Sequence, residues 1–175
     1  VLKSSLQAQS INGESIINGK KFFTSSRATV DWNTKKGWYL PLIYNSVATG
    51  ERVIYPAQTT EGRVVFVTAR VDATDPCQSS GGGRLVELDA FTGAMLDSAV
   101  LDTDNNGLIT DADQTTSGSI LDGGLPGMPV IIDKGAEKKT QTKIILLSTG
   151  VNEFIDERAG SSEEIARRIM WRQLQ

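Results

Sequence analysis

Leu85-Val86-Glu87-Leu88-Asp89-Ala90-Phe91-Thr92-Gly93-Ala94-Met95-Leu96 is the stretch that decides the fold. A strand-type run ends on Leu88-Asp89, a turn closes on Thr92-Gly93, and Ala94-Met95-Leu96 reads as a return strand. Asp89 can accept backbone N–H bonds across the turn, and Gly93 permits the positive φ that such a turn requires. An ordinary hairpin in any β-fold could carry the same residues, so the rest of the chain has to agree.

It does agree on class. Upstream, Arg63-Val64-Val65-Phe66-Val67-Thr68-Ala69-Arg70 is nearly continuous and β-branched, as expected of a strand buried on both faces. Arg52-Val53-Ile54-Tyr55 precedes it across the turn signal Glu61-Gly62, and Trp38-Tyr39-Leu40 before Pro41 suits a strand edge. Asn12-Gly13 and Asn18-Gly19 predict hairpin turns between Leu6–Ile11, Glu14–Ile17 and Lys20–Thr24. Ser79-Ser80-Gly81-Gly82-Gly83 reads as a flexible loop. Downstream, Val130-Ile131-Ile132 and Lys143–Ser148 are further strands, joined by a charged loop. Helix signals are scarce: Ser161 with Glu164 resembles a capping box, running into a terminal strand at Arg168–Leu174. The chain is therefore expected to be all-β.

Short strands at regular spacing fit a sandwich, a barrel or propeller blades. The Leu-Asp…Thr-Gly hairpin resembles the repeats of quinoprotein-type β-propellers and favours the last. At ~40–50 residues per blade the chain holds about three or four blades. The expected architecture is a partial β-propeller, with residues 1–175 as the C-terminal part of the domain and further blades contributed from before Val1.

Composition removes whole classes of chemistry. The 175 residues include no His and one Cys, Cys77. Ser-His-Asp catalysis, His-ligated zinc or haem, an internal disulfide and a vicinal redox pair are all excluded for this chain. Eighteen Lys and Arg against twenty-one Asp and Glu give a net charge of −3, without the basic excess of a nucleic-acid binder. No apolar run approaches the ~18 residues of a membrane span. Carboxylate chemistry and oxygen-ligand cation sites remain.

One segment carries such a site. Asp102-Thr103-Asp104-Asn105-Asn106-Gly107-Leu108-Ile109-Thr110-Asp111-Ala112-Asp113 matches the spacing of an EF-hand calcium loop. Asp102, Asp104 and Asn106 present oxygens from alternate positions, and Gly107 makes the sharp turn. Leu108 offers a carbonyl, Thr110 a hydroxyl or a bridging water, and Asp113 closes the shell. Ile109 is the expected apolar anchor. Ca²⁺ suits this set because it takes about six to eight hard oxygens in flexible geometry. Loop 102–113 departs from the template by closing with Asp113, where Glu is usual, and by sitting between β-elements, where helices are usual.

Other conspicuous residues read more plainly. Trp32, Trp38 and Trp171 are expected as core anchors, with a stacking platform for a sugar or base as the alternative. Lys35-Lys36 and Arg167-Arg168 read as solvated faces, and Asp72 and Asp75 as solvated loop acids with no catalytic spacing.

Several segments together resemble the C-terminal β-propeller of the PilY-type (PilC-like) tip-associated proteins of bacterial type IV pili. Asp31-Trp32…Gly37-Trp38-Tyr39-Leu40 with Gly50-Glu51-Arg52-Val53 is similar to one blade of that family. Arg63–Thr68, Asp75-Pro76-Cys77 and Gly82-Gly83 are similar to its next strand and loop, and Leu88-Asp89…Thr92-Gly93 to its hairpin. The acidic loop falls where the family has its calcium site, with Thr110 where Asp is common, and Met170-Trp171-Arg172-Gln173-Leu174 resembles its closing strand. The resemblance implies a non-enzymatic, exported protein of the cell surface, pilus tip or outer membrane of a Gram-negative bacterium. It implies pilus subunits or minor pilins and host-surface receptors as partners. Calcium binding would regulate pilus retraction, twitching motility and adhesion. Two rival classes share features of the sequence: a calcium-dependent quinoprotein dehydrogenase-like propeller, and a carbohydrate-binding or dockerin-like calcium module.

Overall fold

The structure is a computed structural model that describes residues 2–72, 81–135 and 140–159. Cys77, Asp75, Arg167-Arg168, the Ser161–Glu164 capping box and the closing strand with Trp171 lie outside the described residues. The described chain is β-structure joined by turns, with a short 3-10 turn at Lys3–Ser5. Its strands are β1 Gln7–Ala8, β2 Ile11–Ile17, β3 Lys20–Ser25, β4 Trp38–Tyr39, β5 Ile43–Tyr44, β6 Val47–Ala48, β7 Arg52–Val53, β8 Gln58–Thr60, β9 Arg63–Val71, β10 Gly81–Asp89, β11 Gly118–Asp122, β12 Val130–Asp133, β13 Thr140–Leu146 and β14 Asn152–Arg158. The all-β class is as the sequence reads.

The main sheet runs β2-β3-β11-β10-β9-β7, with β8 also paired to β9. Strands β12-β13-β14 form a second antiparallel sheet, while β1 pairs β4 in parallel and β5 pairs β6. None of these sheets closes on itself among the described residues.

Alternation along the strands explains how the main sheet is covered. Phe22, Val65 and Leu85 join one buried cluster, whereas their neighbours Phe23, Phe66 and Val86 join another. Successive side chains point to opposite faces, so β3, β9 and β10 are packed on both, as the continuous apolar run of β9 predicts. The first cluster continues into Ile145 and Ile155 of the second sheet and Leu101 before the acidic loop. Each such side chain stabilises the fold by about 1.5–3 kcal/mol of transfer free energy. Among the described residues the second sheet is covered on one face only: Ile132, Leu146 and Phe154 stay exposed.

Several local expectations are corrected. Asn12-Gly13 is not a turn: β2 runs through it, with a register shift between Ile11 and Gly13. The hairpin turns instead at Asn18-Gly19, where φ is 48° and 81°. That choice lets the ladder extend from Ile17–Lys20 back to Ile11–Ser25. Gly81-Gly82-Gly83 opens strand β10 and is not a loop. A Cβ on Gly83 would lie 1.8 Å from the carbonyl oxygen of Thr68, so these glycines permit close pairing of β9 and β10. Ala94-Met95-Leu96 forms no return strand, although Ala94 and Met95 bond to Asp89 and Ser26 through the main chain. Gly118-Ser119 begins β11, the strand that follows the acidic loop. Trp32 is no core anchor: it stands 57% exposed, and Trp38 alone of the described tryptophans packs against a cluster.

Candidate metal centre

Loop 102–113 is held by its two stems and by a neighbouring hairpin. At its start, Leu101 bridges Glu157, and the Asp102 N–H donates to the Asp156 carbonyl at 3.0 Å. Leu101 is 1% exposed and supplies the buried apolar anchor, while Ile109, expected in that role, is half-buried. After the loop, the Ser117 carbonyl accepts the Glu87 N–H at 2.8 Å, and Ser117 N–H donates to Phe23. From the side, Asn18 Nδ2 donates to the Asp104 carbonyl at 3.2 Å and Lys20 Nζ to Asn105 Oδ1 at 3.1 Å.

The fold brings three of the six expected ligands together. Asp102, Asp104 and Asp113 each offer a carboxylate oxygen, and these lie within 4.8 Å of one another. Asp102 and Asp113 are buried; Asp104 is half-buried. Asn106 sits among them but as a donor: its N–H reaches Asp102 Oδ1 and Asp104 Oδ1, and its Nδ2 reaches Asp104 Oδ2 at 2.8 Å. Its Oδ1 accepts the Leu108 N–H at 2.7 Å. The Thr110 hydroxyl accepts the Ala112 N–H. The Leu108 side chain is exposed, as befits a residue expected to contribute only its carbonyl.

Mutual repulsion of the acids is offset by main-chain donors. Gly107 N–H donates to Asp102 Oδ2 at 2.8 Å. Asp113 Oδ1 accepts the N–H of Thr103 at 2.7 Å, the Thr103 hydroxyl and the N–H of Asp104, while Oδ2 accepts the Thr110 N–H at 2.9 Å. Burial alone would raise the pKa of Asp113, but the N–H groups of Thr110, Thr103 and Asp104 outweigh it and hold the carboxyl below its ordinary value. Asp113 therefore ties the end of the loop to its beginning, helped by the Gln114 N–H that donates to the Thr103 hydroxyl at 2.9 Å. Three anionic, hard oxygen donors fit a divalent cation of the calcium or magnesium kind. This acidic cluster could hold a metal ion.

Other expected residues fall as ordinary surface. Asp72 is exposed, and Lys35 Nζ donates to the Ser4 carbonyl at 2.9 Å, pinning the N-terminal segment. The Asp89 turn is built as its sequence reads: Oδ1 accepts the N–H groups of Phe91 and Thr92, and Gly93 has φ 67°. What sequence reasoning missed is interior charge. Arg63, Glu87, Lys143 and Glu157 are buried together, and Arg84 pairs with Glu14 at 2.8 Å and with Glu51. A usable signal existed for Lys143, which shares strand parity with buried Ile145 and Leu147.

No protein-family model matches the sequence, and no curated protein matches it. Among solved structures, the C-terminal domain of PilY1 from Pseudomonas aeruginosa superposes with a TM-score of 0.68 over 91% of this chain, at 18% identity. The two share a fold. The chain spans 33% of the length of that relative. The likeness agrees with the resemblance that the Trp38, Asp89–Gly93 and Asp102–Asp113 motifs carry in the sequence, and it extends to most of the described chain.

Proposed function

We propose that this chain is the calcium-binding part of a β-propeller in an exported, type IV pilus-associated protein, and that it acts without catalysis, through calcium-dependent control of pilus retraction and adhesion. The observation that carries the reading is the convergence of Asp102, Asp104 and Asp113 within 4.8 Å, in a loop of calcium-binding spacing. The fold shared with the PilY1 domain supports the pilus association. The propeller reading is supported by the exposed apolar face of the second sheet, bearing Ile132, Leu146 and Phe154, against which a further blade of a longer chain would pack.

The three carboxylates would hold the ion. Asn106 and Thr110 would join it after their side chains exchange N–H partners for metal, and the Leu108 carbonyl would complete the shell. What calcium supplies is charge neutralisation and a fixed loop geometry. Pilus subunits, minor pilins and host-surface receptors are the proposed partners. Calorimetry of the chain with CaCl₂ tests the site: saturable binding is expected, and its absence at millimolar calcium removes it. Twitching of a strain carrying Asp104→Ala in the full-length protein tests the role. Altered retraction with unchanged export is the expected result, and normal motility would leave the ion a structural staple.

A further inference from the structure

Four charged side chains meet where the main sheet faces β13 and β14. Arg63 Nη1 donates to Glu87 at 3.1 Å and to Glu157 at 3.2 Å, and its Nη2 donates to Glu61 and to the Arg158 carbonyl. Lys143 Nζ donates to Glu87 Oε1 at 2.6 Å and to Glu157 Oε2, while Gln141 Nε2 donates to Glu157 Oε1 at 2.5 Å. Glu87, Lys143 and Glu157 are fully buried, and Arg63 nearly so. Two cationic side chains meet two buried carboxyl groups, with Glu61 at the rim. Desolvating such groups costs several kcal/mol per ion, and apolar replacements of a buried pair are often no less stable. Stability alone therefore does not account for them.

Their position supplies an account. The main chain of Glu157 bridges Leu101, immediately before Asp102, and the N–H of Glu87 holds the carbonyl of Ser117, beyond Asp113. The two buried glutamates thus sit where the strands hold the two stems of the acidic loop: Glu157 lies between Asp156, whose carbonyl accepts the Asp102 N–H, and Arg158, whose N–H donates to the Val100 carbonyl, and Glu87 itself donates to Ser117. Their side chains are in turn fixed to one another through Lys143 and Arg63. The spacing of the loop's stems, and with it the approach of Asp102 to Asp113, depends on the spacing of β10 and β14 that this network sets.

We infer that the Arg63–Glu87–Lys143–Glu157 network is the positioning device of the acidic loop and sets its affinity for a divalent cation; the inference rests on the loop being a cation site. With the stems held at binding distance, the ion does not have to order them, and the cost of ordering leaves its binding free energy. By linkage, the ion in turn tightens the joint between the sheets.

The test compares calcium affinity in the wild-type chain and in the double variant Lys143→Met/Glu157→Met, which removes one cationic and one carboxyl group and touches no loop residue. Calorimetry with CaCl₂ should show a Kd raised at least about 5-fold in the variant, the lower end of ordinary site-to-site coupling. A native circular-dichroism spectrum with a Kd within twofold of wild type overturns the inference and leaves the site standing. Absence of calcium heat in the wild type removes the site, and the coupling with it. Should the double variant not fold, amide exchange in the wild type decides. Calcium should slow exchange at the Glu87 and Arg158 amides, outside the loop, and should not do so in Asp104→Ala. Unchanged rates at both amides in the wild type overturn the inference.

Discussion

The indole of Trp38 covers Gly93 so closely that a Cβ built on Gly93 would lie 2.1 Å from its Cδ2. The same ring donates its Nε1–H to the Ala90 carbonyl at 3.1 Å. Two motifs more than fifty residues apart, the Gly-Trp-Tyr-Leu stretch and the Leu-Asp…Thr-Gly hairpin, are therefore one packing unit. Their joint presence in the sequence is a tertiary signal, since each fixes the geometry that the other needs.

Gly93→Ala should be among the more damaging single substitutions in the described chain. It adds a left-handed backbone penalty at φ 67° to a clash with the indole ring that packs over this position. A loss of about 2–4 kcal/mol is expected, from strain and overpacking together. Urea unfolding measures it, and a midpoint within error of wild type would mean that the ring moves aside freely.

Lys143→Met alone should cost more than Lys143→Met with Glu157→Met. The single change leaves Glu87 and Glu157, both fully buried, sharing Arg63 as their remaining strong cation. Breaking a buried pair from one side typically costs about 3–5 kcal/mol, whereas removing both partners is often close to neutral. The double-mutant cycle in urea should therefore show strong positive coupling. Additive losses would argue that the two charges act independently.

The same network predicts an unusual pH profile. Burial and then repulsion from Glu87 push Glu157 up to about 7, against the opposing pull of Lys143 and Arg63. Burial pushes Glu87 upward too, but Lys143 and Arg63 outweigh it and leave its carboxyl below its ordinary value. Because the folded pKa of Glu157 is raised, its contribution to stability is fully present below the unfolded value, near 4.5, and is lost as pH rises through about 7. Glu87 contributes in the opposite sense and loses its share as pH falls below its unfolded value. Glu157→Gln should therefore flatten the fall in stability between about pH 5 and 7, an effect of at most ~3 kcal/mol. Equal pH slopes in wild type and variant would remove Glu157 as the titrating group.

Local chemistry was legible in the sequence and long-range exchange was not. Within the turn, Asp89 accepts bonds from Phe91, Thr92 and Gly93, and Gly93 takes the positive φ that closes it, so type and spacing revealed these local roles. The acidic loop was legible for the same reason, down to Asp102, Asp104 and Asp113. Asn12-Gly13 was misread because its turn propensity is a local preference, outweighed by the ladder that β2 builds with β3. Gly82-Gly83 was misread because the reason for glycine there, close contact with β9 and β11 carbonyls, lies on other strands. Trp32 was misread because nothing in its neighbours shows that no cluster faces it. The charges at Arg63, Glu87, Lys143 and Glu157 are each unremarkable in sequence and acquire meaning only when two sheets meet.

Two acids of the loop should separate binding from folding. Asp104 is half-buried, and among the described residues its carboxylate accepts bonds only from Asn106, within the loop. Asp104→Ala should therefore abolish calcium binding with little change in the melting temperature of the metal-free chain. Asp113 instead serves buried Thr103, half-buried Asp104 and exposed Thr110 from one carboxylate, so Asp113→Ala strands the buried Thr103 donors as well as removing a ligand. Leaving buried donors unpaired costs about 1–3 kcal/mol, a loss that should appear without any metal. Asp113→Asn keeps one acceptor oxygen and should recover part of that stability without recovering calcium affinity. In wild type, calcium at a hundredfold excess over Kd should add about 2.7 kcal/mol to unfolding, and magnesium should add less because its octahedral demand suits an irregular shell poorly. Thermal melts of the three variants, each with EDTA and with calcium, read all of this in one experiment. Equal metal-free melting temperatures for Asp104→Ala and Asp113→Ala would show that Asp113 does not tie the end of the loop to its beginning.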